Sequence, residues 1–157
     1  MPANIGISDK GRQAVAKILS SLLADEFVLY AKTRNYHWNV TGPQFSELHK
    51  FFEAQYDDLE DFMDDTAERV RQLGVKTPAS LAEYLRAARL REHPGTYPPA
   101  ARMLANLLAD HETLVRQLRK DLEACASLGD MGNSDFLTGL MEKHEKMAWM
   151  LRAYGEK

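Results

Sequence analysis

The length, composition and charge of this chain are typical of one globular domain. Its 157 residues are 45% hydrophobic and 27% charged, which argues against disorder, and a formal net charge of -3 argues against binding nucleic acid through bulk basic charge. A lone cysteine, Cys125, excludes an intrachain disulfide. Without an apolar run of about 18 residues or a secretory signal, we expect a cytoplasmic protein with no membrane segment.

The first half of the chain predicts two long helices. After a short tail, residues 1–7, apolar residues recur at three- and four-residue steps from about residue 8 to residue 39. The stretch Thr41-Gly42-Pro43 then favours a tight turn, with Pro43 suited to the first turn of the next helix. That second helix is predicted from about residue 43 to residue 73 and closes at Gly74.

The second half predicts two more helices after a long connection. Four prolines interrupt residues 75–99, although SLAEYLRAAR within them is suited to a short helix of its own. A third long helix is predicted over residues 100–127, and a fourth from a cap at Asn133 or Ser134 to about Gly155. One tight turn and one long crossover predict an all-α, ferritin-like four-helix bundle, a single domain over residues 1–157.

The second helix carries the most informative pattern. His49, Glu53, Asp64 and Glu68 fall at about 0°, 40°, 60° and 100° around its axis, so they share one stripe. Histidine with carboxylates is a ligand mixture that suits iron and related metals. The alternative is an ordinary solvated acidic face, because the same segment contains further carboxylates at Asp57, Asp58, Glu60, Asp61 and Asp65.

The length of this helix limits how such a site can be built. Glu53 and Asp64 are 11 residues apart, which is roughly 16 Å along a helix. Metal–ligand bonds are about 2 Å long, so the two halves of the stripe cannot share one ion within one chain. A two-fold axis near Asp58 and Leu59 would pair the halves between subunits and produce two identical sites.

The remaining histidines do not indicate an intrachain di-iron centre. No histidine in the chain has a glutamate three residues before it, so the Glu-x-x-His motif of single-chain di-iron bundles is missing. HETLV, at residues 111–115, begins like a zinc-protease helix but has Val115 where a second histidine is required. We therefore interpret His111 as a surface or capping residue.

The segments HWNVTGPQFSELHKFFE, DDTAERVRQLG and NSDFL resemble those of the Dps proteins, the DNA-protecting mini-ferritins. The resemblance implies a hollow homododecamer built on two-fold dimers, with a short extra helix in the crossover and di-iron ferroxidase centres at the two-fold interfaces. It implies metal ligands at His37, His49 and Glu53 of one subunit and at Asp64 and Glu68 of its mate. Glu53 departs from the family's usual aspartate: a carboxylate is retained, but it reaches one methylene further.

The resemblance also implies a function. Fe(II) would be oxidised, preferentially by hydrogen peroxide, and stored as ferric mineral, which protects DNA from oxidative damage. Trp38 resembles a family tryptophan that takes up a stray oxidising equivalent; the alternative is packing in the dimer interface. Asp135, and with it Asp130, would line an ion-entry pore; the alternative for Asp135 is complementing the helix dipole.

A different class of function is nucleoid compaction by a protein whose metal site is vestigial or holds zinc, which would make the protein nucleoid-associated within the cytoplasm. Some Dps proteins bind DNA through basic terminal tails. Here the first eight residues carry no basic side chain, and Lys10, Arg12 and Lys17 follow. Few basic groups release few counterions, so we expect DNA binding to be weak or absent near neutral pH.

Overall fold

The computed structural model of the chain describes residues 3–155; the two residues at each end lie outside that range, and the first two belong to the predicted N-terminal tail. Within it the secondary structure is helical, without strands, and the helices are α1 (Asp9–Asn39), α2 (Phe45–Gln72), α3 (Leu81–Ala87), α4 (Ala100–Ser127) and α5 (Met131–Gly155). The predicted ferritin-like bundle, with a short extra helix in its crossover, is confirmed. None of the helices in residues 3–155 is long and apolar enough to cross a membrane.

Two predicted helix starts were wrong: α2 begins after Pro43 rather than at it, and α5 begins before Asn133. Pro43 lies in the turn, and α2 begins two residues later at Phe45, whose N–H donates to the carbonyl of Gly42 at 3.1 Å. Gly42 has a φ of 114°, which only glycine adopts readily, and this lets the chain reverse. At the other end of the chain, α5 begins at Met131, before the predicted caps.

Asp130 sets the start of α5. Its side chain accepts hydrogen bonds from the backbone N–H of Asn133 at 2.9 Å and from the Asn133 side-chain amide. A carboxylate that accepts from an N–H three residues ahead is an N-cap, and it satisfies a donor that the helix itself leaves free. Arg69 of α2 donates to the Asn133 side-chain oxygen at 2.7 Å, so the cap is also tied to α2.

Side-chain contacts establish the direction of each helix. Near the two ends of their pairing, α1 and α2 are joined by His37 with His49 and by Arg12 with the carbonyl of Leu73, so the two helices are antiparallel. α4 runs antiparallel to α1, since Lys32 pairs with Asp110 and the region of Asp25 meets Asp121 through the crossover. α4 is therefore parallel to α2, which requires the long crossover.

A buried carboxylate holds the crossover against the bundle. Asp25 of α1 is fully buried and accepts hydrogen bonds from the backbone N–H groups of Arg89 and Leu90. The Arg89 side chain pairs with Asp25 at 2.6 Å and with Asp121 of α4 at 2.9 Å. Charge-assisted bonds of this kind are stronger than neutral ones, so this network joins the crossover to two helices.

The core contains a histidine pair that the sequence did not predict. The interpretation of His111 as a surface or capping residue was wrong, because the structure buries it completely. Leu107, His111, Leu114 and Leu118 lie three or four residues apart on the buried face of α4. Two imidazole nitrogens, Nδ1 of His111 and Nδ1 of His144 on α5, lie 2.9 Å apart in this core.

The capping role of Asp130 can be separated from surface charge by one pair of substitutions. Asp130→Ala should lower the free energy of unfolding by about 1–2 kcal/mol, because the first turn of α5 loses its cap. Asp135→Ala, at an exposed position one turn later, should change it by less than about 0.5 kcal/mol. Denaturant unfolding of both variants measures this, and equal losses would contradict the assignment of Asp130 as the cap.

Candidate metal centre

His37 and His49 meet where α1 and α2 join. His37 is buried near the end of α1, and His49 is half-buried in the second turn of α2. The turn centred on Gly42 brings them together, with ring centroids 3.7 Å apart and planes inclined by 21°. Each ring also bonds the other residue's backbone: Nδ1 of His37 lies 2.7 Å from the His49 carbonyl oxygen, and Nδ1 of His49 lies 2.9 Å from that of His37.

These reciprocal bonds determine which nitrogen of each ring is free. A carbonyl oxygen only accepts, so both Nδ1 atoms must carry a proton. In the neutral imidazole the lone pair is then on Nε2, and no hydrogen-bond partner of either Nε2 is found among the described residues. A histidine whose Nδ1 is bonded to a carbonyl is the form that binds a metal through Nε2. The pair therefore fits a metal.

Glu53 follows one turn after His49 on α2, and its carboxylate is exposed. Its Oε1 accepts a 3.3 Å hydrogen bond from the hydroxyl of Tyr56, whose ring packs edge-on against His37 with centroids 5.1 Å apart. The pKa of the Tyr56 phenol is raised, first by burial and then by the charge of Glu53. Tyr56 therefore remains a hydrogen-bond donor that orients the carboxylate beside the histidines.

Arg34 connects this group to Trp38. Its guanidinium lies 4.3 Å from the ring centroid of Tyr56 and 5.2 Å from that of Trp38. Trp38 itself is 65% exposed in the single chain, next to buried His37. A large exposed aromatic beside a buried ligand candidate is compatible with both interpretations drawn from the sequence, the redox role and the packing of a subunit interface.

Asp64 and Glu68 lie on exposed positions of α2, nearer its other end. Within residues 3–155, neither carboxylate forms an ion pair. Since α2 is one uninterrupted helix, Glu53 and Asp64 remain about 16 Å apart along it. Across residues 3–155, no three side chains of histidine, cysteine, aspartate or glutamate are grouped so that they could hold a metal ion.

The two predicted pore residues differ in what their carboxylates can do. Asp135 is exposed on the first turns of α5, where its charge is available to a cation. Asp130 is 4% exposed, and both of its carboxylate oxygens are occupied by Asn133. A buried, capping carboxylate is poorly placed to bind a passing ion, so only Asp135 is retained as a pore candidate.

Sequence reasoning missed two groups of residues. Tyr56, which contacts Glu53, and Arg34, which contacts Trp38, lie three and four residues from these partners, so helical spacing alone offered a signal. The second group is a buried His–His–Glu chain in the centre of the bundle, formed by His111, His144 and Glu26. Its three members come from three helices, and no sequence spacing connects them.

Comparisons with known proteins agree with this architecture. The ferritin-like domain family matches residues 16–157. A low temperature-induced protein of Nostoc is 47% identical, covering 98% of this chain and 86% of the relative, and DNA protection during starvation protein 2 of Bacillus anthracis is 37% identical, covering 89% and 95%.

Among solved structures, the Dps protein of Vibrio cholerae, described as a member of the ferritin-like diiron-carboxylate superfamily, superposes with a TM-score of 0.92 at 35% identity. The match covers 99% of this chain and 98% of that one. The two folds therefore agree over nearly the full length of both proteins. By family match, relatives and structure, this chain belongs to the ferritin-like family and, within it, to the Dps proteins.

Proposed function

We propose that this protein is a ferroxidase and iron store. It oxidises Fe(II), preferentially with hydrogen peroxide, at centres shared across two-fold interfaces, and it keeps the ferric product inside a hollow dodecamer. The observation that carries the proposal is the contact between His37 and His49, whose reciprocal Nδ1 bonds leave both Nε2 lone pairs for a metal. The diiron-carboxylate description of the Vibrio cholerae relative supports iron as that metal.

The ligand set of each centre comes from two subunits. His37, His49 and Glu53 of one subunit form one half, and Asp64 and Glu68 of its mate form the other. The support is geometric, because α2 separates the halves by about 16 Å while leaving both acidic residues exposed. Zinc also accepts histidine and carboxylate ligands and would compete for the same half-site.

The residues suit this chemistry in charge and in position. Neutral histidine binds Fe(II) without adding charge, whereas carboxylates stabilise the harder ferric product. Two Fe(II) ions supply one electron each to one peroxide; its O–O bond breaks, and two protons from solvent complete two water molecules. This two-electron course avoids the hydroxyl radical that a single transfer would release. Trp38, beside His37, is proposed as the sink for an oxidising equivalent that escapes.

Iron must also reach the cavity. Asp135 is exposed near the start of α5, and three copies around a three-fold axis would form a negative funnel. Such a ring raises the local concentration of cations and their rate of entry. We therefore propose Asp135 as the residue that lines the entry pore.

Complementary variants test whether the centre is shared between subunits. His37→Ala/His49→Ala and Asp64→Asn/Glu68→Gln should each lower the rate of peroxide-driven Fe(II) oxidation by at least about tenfold. Subunits of the two variants, refolded together at equal amounts, should regain about one quarter of the sites, because half of the dimers are mixed and each mixed dimer has one intact site. Anaerobic loading with Fe(II), then peroxide, provides the rates.

The matched control mixes His37→Ala with His49→Ala, which damage the same half and should regain nothing. A complementary mixture that stays as inactive as its parents would exclude the shared site. Particle mass, measured on the same samples, shows whether a dodecamer has formed. A wild-type protein that forms no such shell, or oxidises no iron, would contradict the function itself.

Direct binding to DNA provides the other test. The net charge is -3 and residues 1–8 contain no lysine or arginine, so phosphate contacts should be few and binding weak. We expect no retardation of supercoiled plasmid by micromolar protein near neutral pH and low salt in a gel-shift assay. A basic tail added to the N-terminus is the positive control. Retardation by the unmodified protein at lower concentration would favour a compacting function.

A further inference from the structure

The centre of the bundle holds three ionisable side chains that the proposed iron chemistry does not use. The members of the buried His–His–Glu chain, Glu26 of α1, His144 of α5 and His111 of α4, are each fully buried. Nε2 of His144 lies 2.8 Å from Oε1 of Glu26, and Nδ1 of His144 lies 2.9 Å from Nδ1 of His111. The chain therefore links three of the four long helices and has no exposed end.

The arrangement is that of a hydrogen-bonded chain rather than a metal site. Glu26 contacts one nitrogen of His144 while His111 contacts the other, so the three side chains do not converge on one point. Accordingly, they are not a group that could hold a metal ion within residues 3–155. What the chain can hold is protons.

The contact between the two rings limits the number of protons. Each imidazole nitrogen is either a donor or an acceptor, so a hydrogen bond between Nδ1 of His111 and Nδ1 of His144 requires one proton between them. With a second proton, two N–H groups would face each other at 2.9 Å. That state loses the hydrogen bond and places two cations in contact in a low-dielectric interior.

The three side chains have no net charge when one proton lies between the two rings and one lies between Glu26 and Nε2 of His144, whichever of these two atoms carries it. His111 is then neutral and accepts at Nδ1. The proton of His111 is on Nε2, an atom that has no hydrogen-bond partner in the described structure, and Oε2 of Glu26 likewise has none. A further proton on His111 would give this buried site a net charge that no neighbouring group compensates, and such a charge is costly.

Within residues 3–155, the other buried carboxylates, those of Asp25, Asp121 and Asp130, are already bonded and supply no free anion for that proton. On α2, the ring of Phe62 packs edge-on against His144, with the Lys143 ammonium 4.8 Å from the centroid of the same ring. The buried polar residues of α2, Gln55 and Thr66, are uncharged. The carboxylates next in sequence to the chain are already paired: Asp25 with Arg89, Asp110 with Lys32, Glu112 with Arg152 and Glu145 with Arg119.

We propose that the buried His–His–Glu chain is a pH-sensitive latch between α1, α4 and α5. The latch is closed while one proton lies between the two rings, and it opens when His111 takes up a second. The subunit would then loosen from its centre on acidification, independently of the iron centre and of the subunit interfaces.

The direction of the pH dependence follows from His111. Burial, and then the charge of His144, lower the pKa of His111 well below its usual value, whereas in the unfolded chain it titrates near 6.5. Below about pH 6.5, His111 therefore binds a proton in the unfolded protein that it does not bind in the folded protein. The contribution of His111 to the free energy of unfolding is complete above that pH and is lost progressively as the pH falls.

The test compares the wild-type apo protein with His111→Gln, which cannot be protonated. Equilibrium unfolding is measured from about pH 5 to 8 at one protein concentration. Below about pH 6.5, the unfolding equilibrium constant of the wild type should rise more steeply than that of the variant, by about tenfold per pH unit for one proton. His93→Gln, which removes an exposed histidine of the crossover, should retain the wild-type dependence.

A second variant covers the case in which His111→Gln fails to fold. Glu26→Leu/His144→Leu/His111→Leu removes the whole chain without leaving an unpaired charge, a replacement that buried ionic groups often tolerate. Its unfolding equilibrium constant should likewise lack the additional rise below about pH 6.5. The latch is excluded if either folded variant retains the wild-type slope, or if the wild type shows no additional slope below about pH 6.5.

Discussion

A straight helix cannot bring its own ends together, and the functional arrangement depends on this constraint. α2 runs without a break from Phe45 to Gln72 and carries candidate ligands near both ends. His49 and Glu53 lie in its first half, whereas Asp64 and Glu68 lie beyond its middle. One chain can therefore present two half-sites but cannot close them. On the function we propose, assembly into dimers is the step that creates the centre.

The half-site with the histidines is organised by the turn between α1 and α2. Gly42 reverses the chain, and the two histidines then bond each other's backbone carbonyls. These bonds use both Nδ1 atoms and so select the tautomer that leaves Nε2 free. The same contact therefore stabilises the helix pair and, at the centre that we propose, leaves both Nε2 atoms available to a metal.

The interior contains two networks of buried polar side chains, one at Asp25 and one at Glu26, and each has a different physical basis. Asp25 draws the crossover onto the bundle through Arg89 and two backbone N–H groups, so its charge is fully compensated. Glu26, one residue later, contacts His144 of α5, which in turn contacts His111 of α4. The first network maintains topology, because α4 must start at the far end of α2. In the latch that we propose, the second network is conditional on the protonation of His111.

Sequence periodicity by itself determined the number of helices, the tight turn, the long crossover and the stripe on α2, because these are local and repeat with the helical period. It also required that the two halves of the stripe bind different ions within one chain, since the rise per residue of a helix does not depend on tertiary context. Only the tertiary structure decided that His111 is buried against His144 and that Asp25 and Asp121 both bind Arg89 of the crossover. Each of these depends on which side chains from distant segments meet, and spacing along one helix contains no information about the neighbours of its buried face.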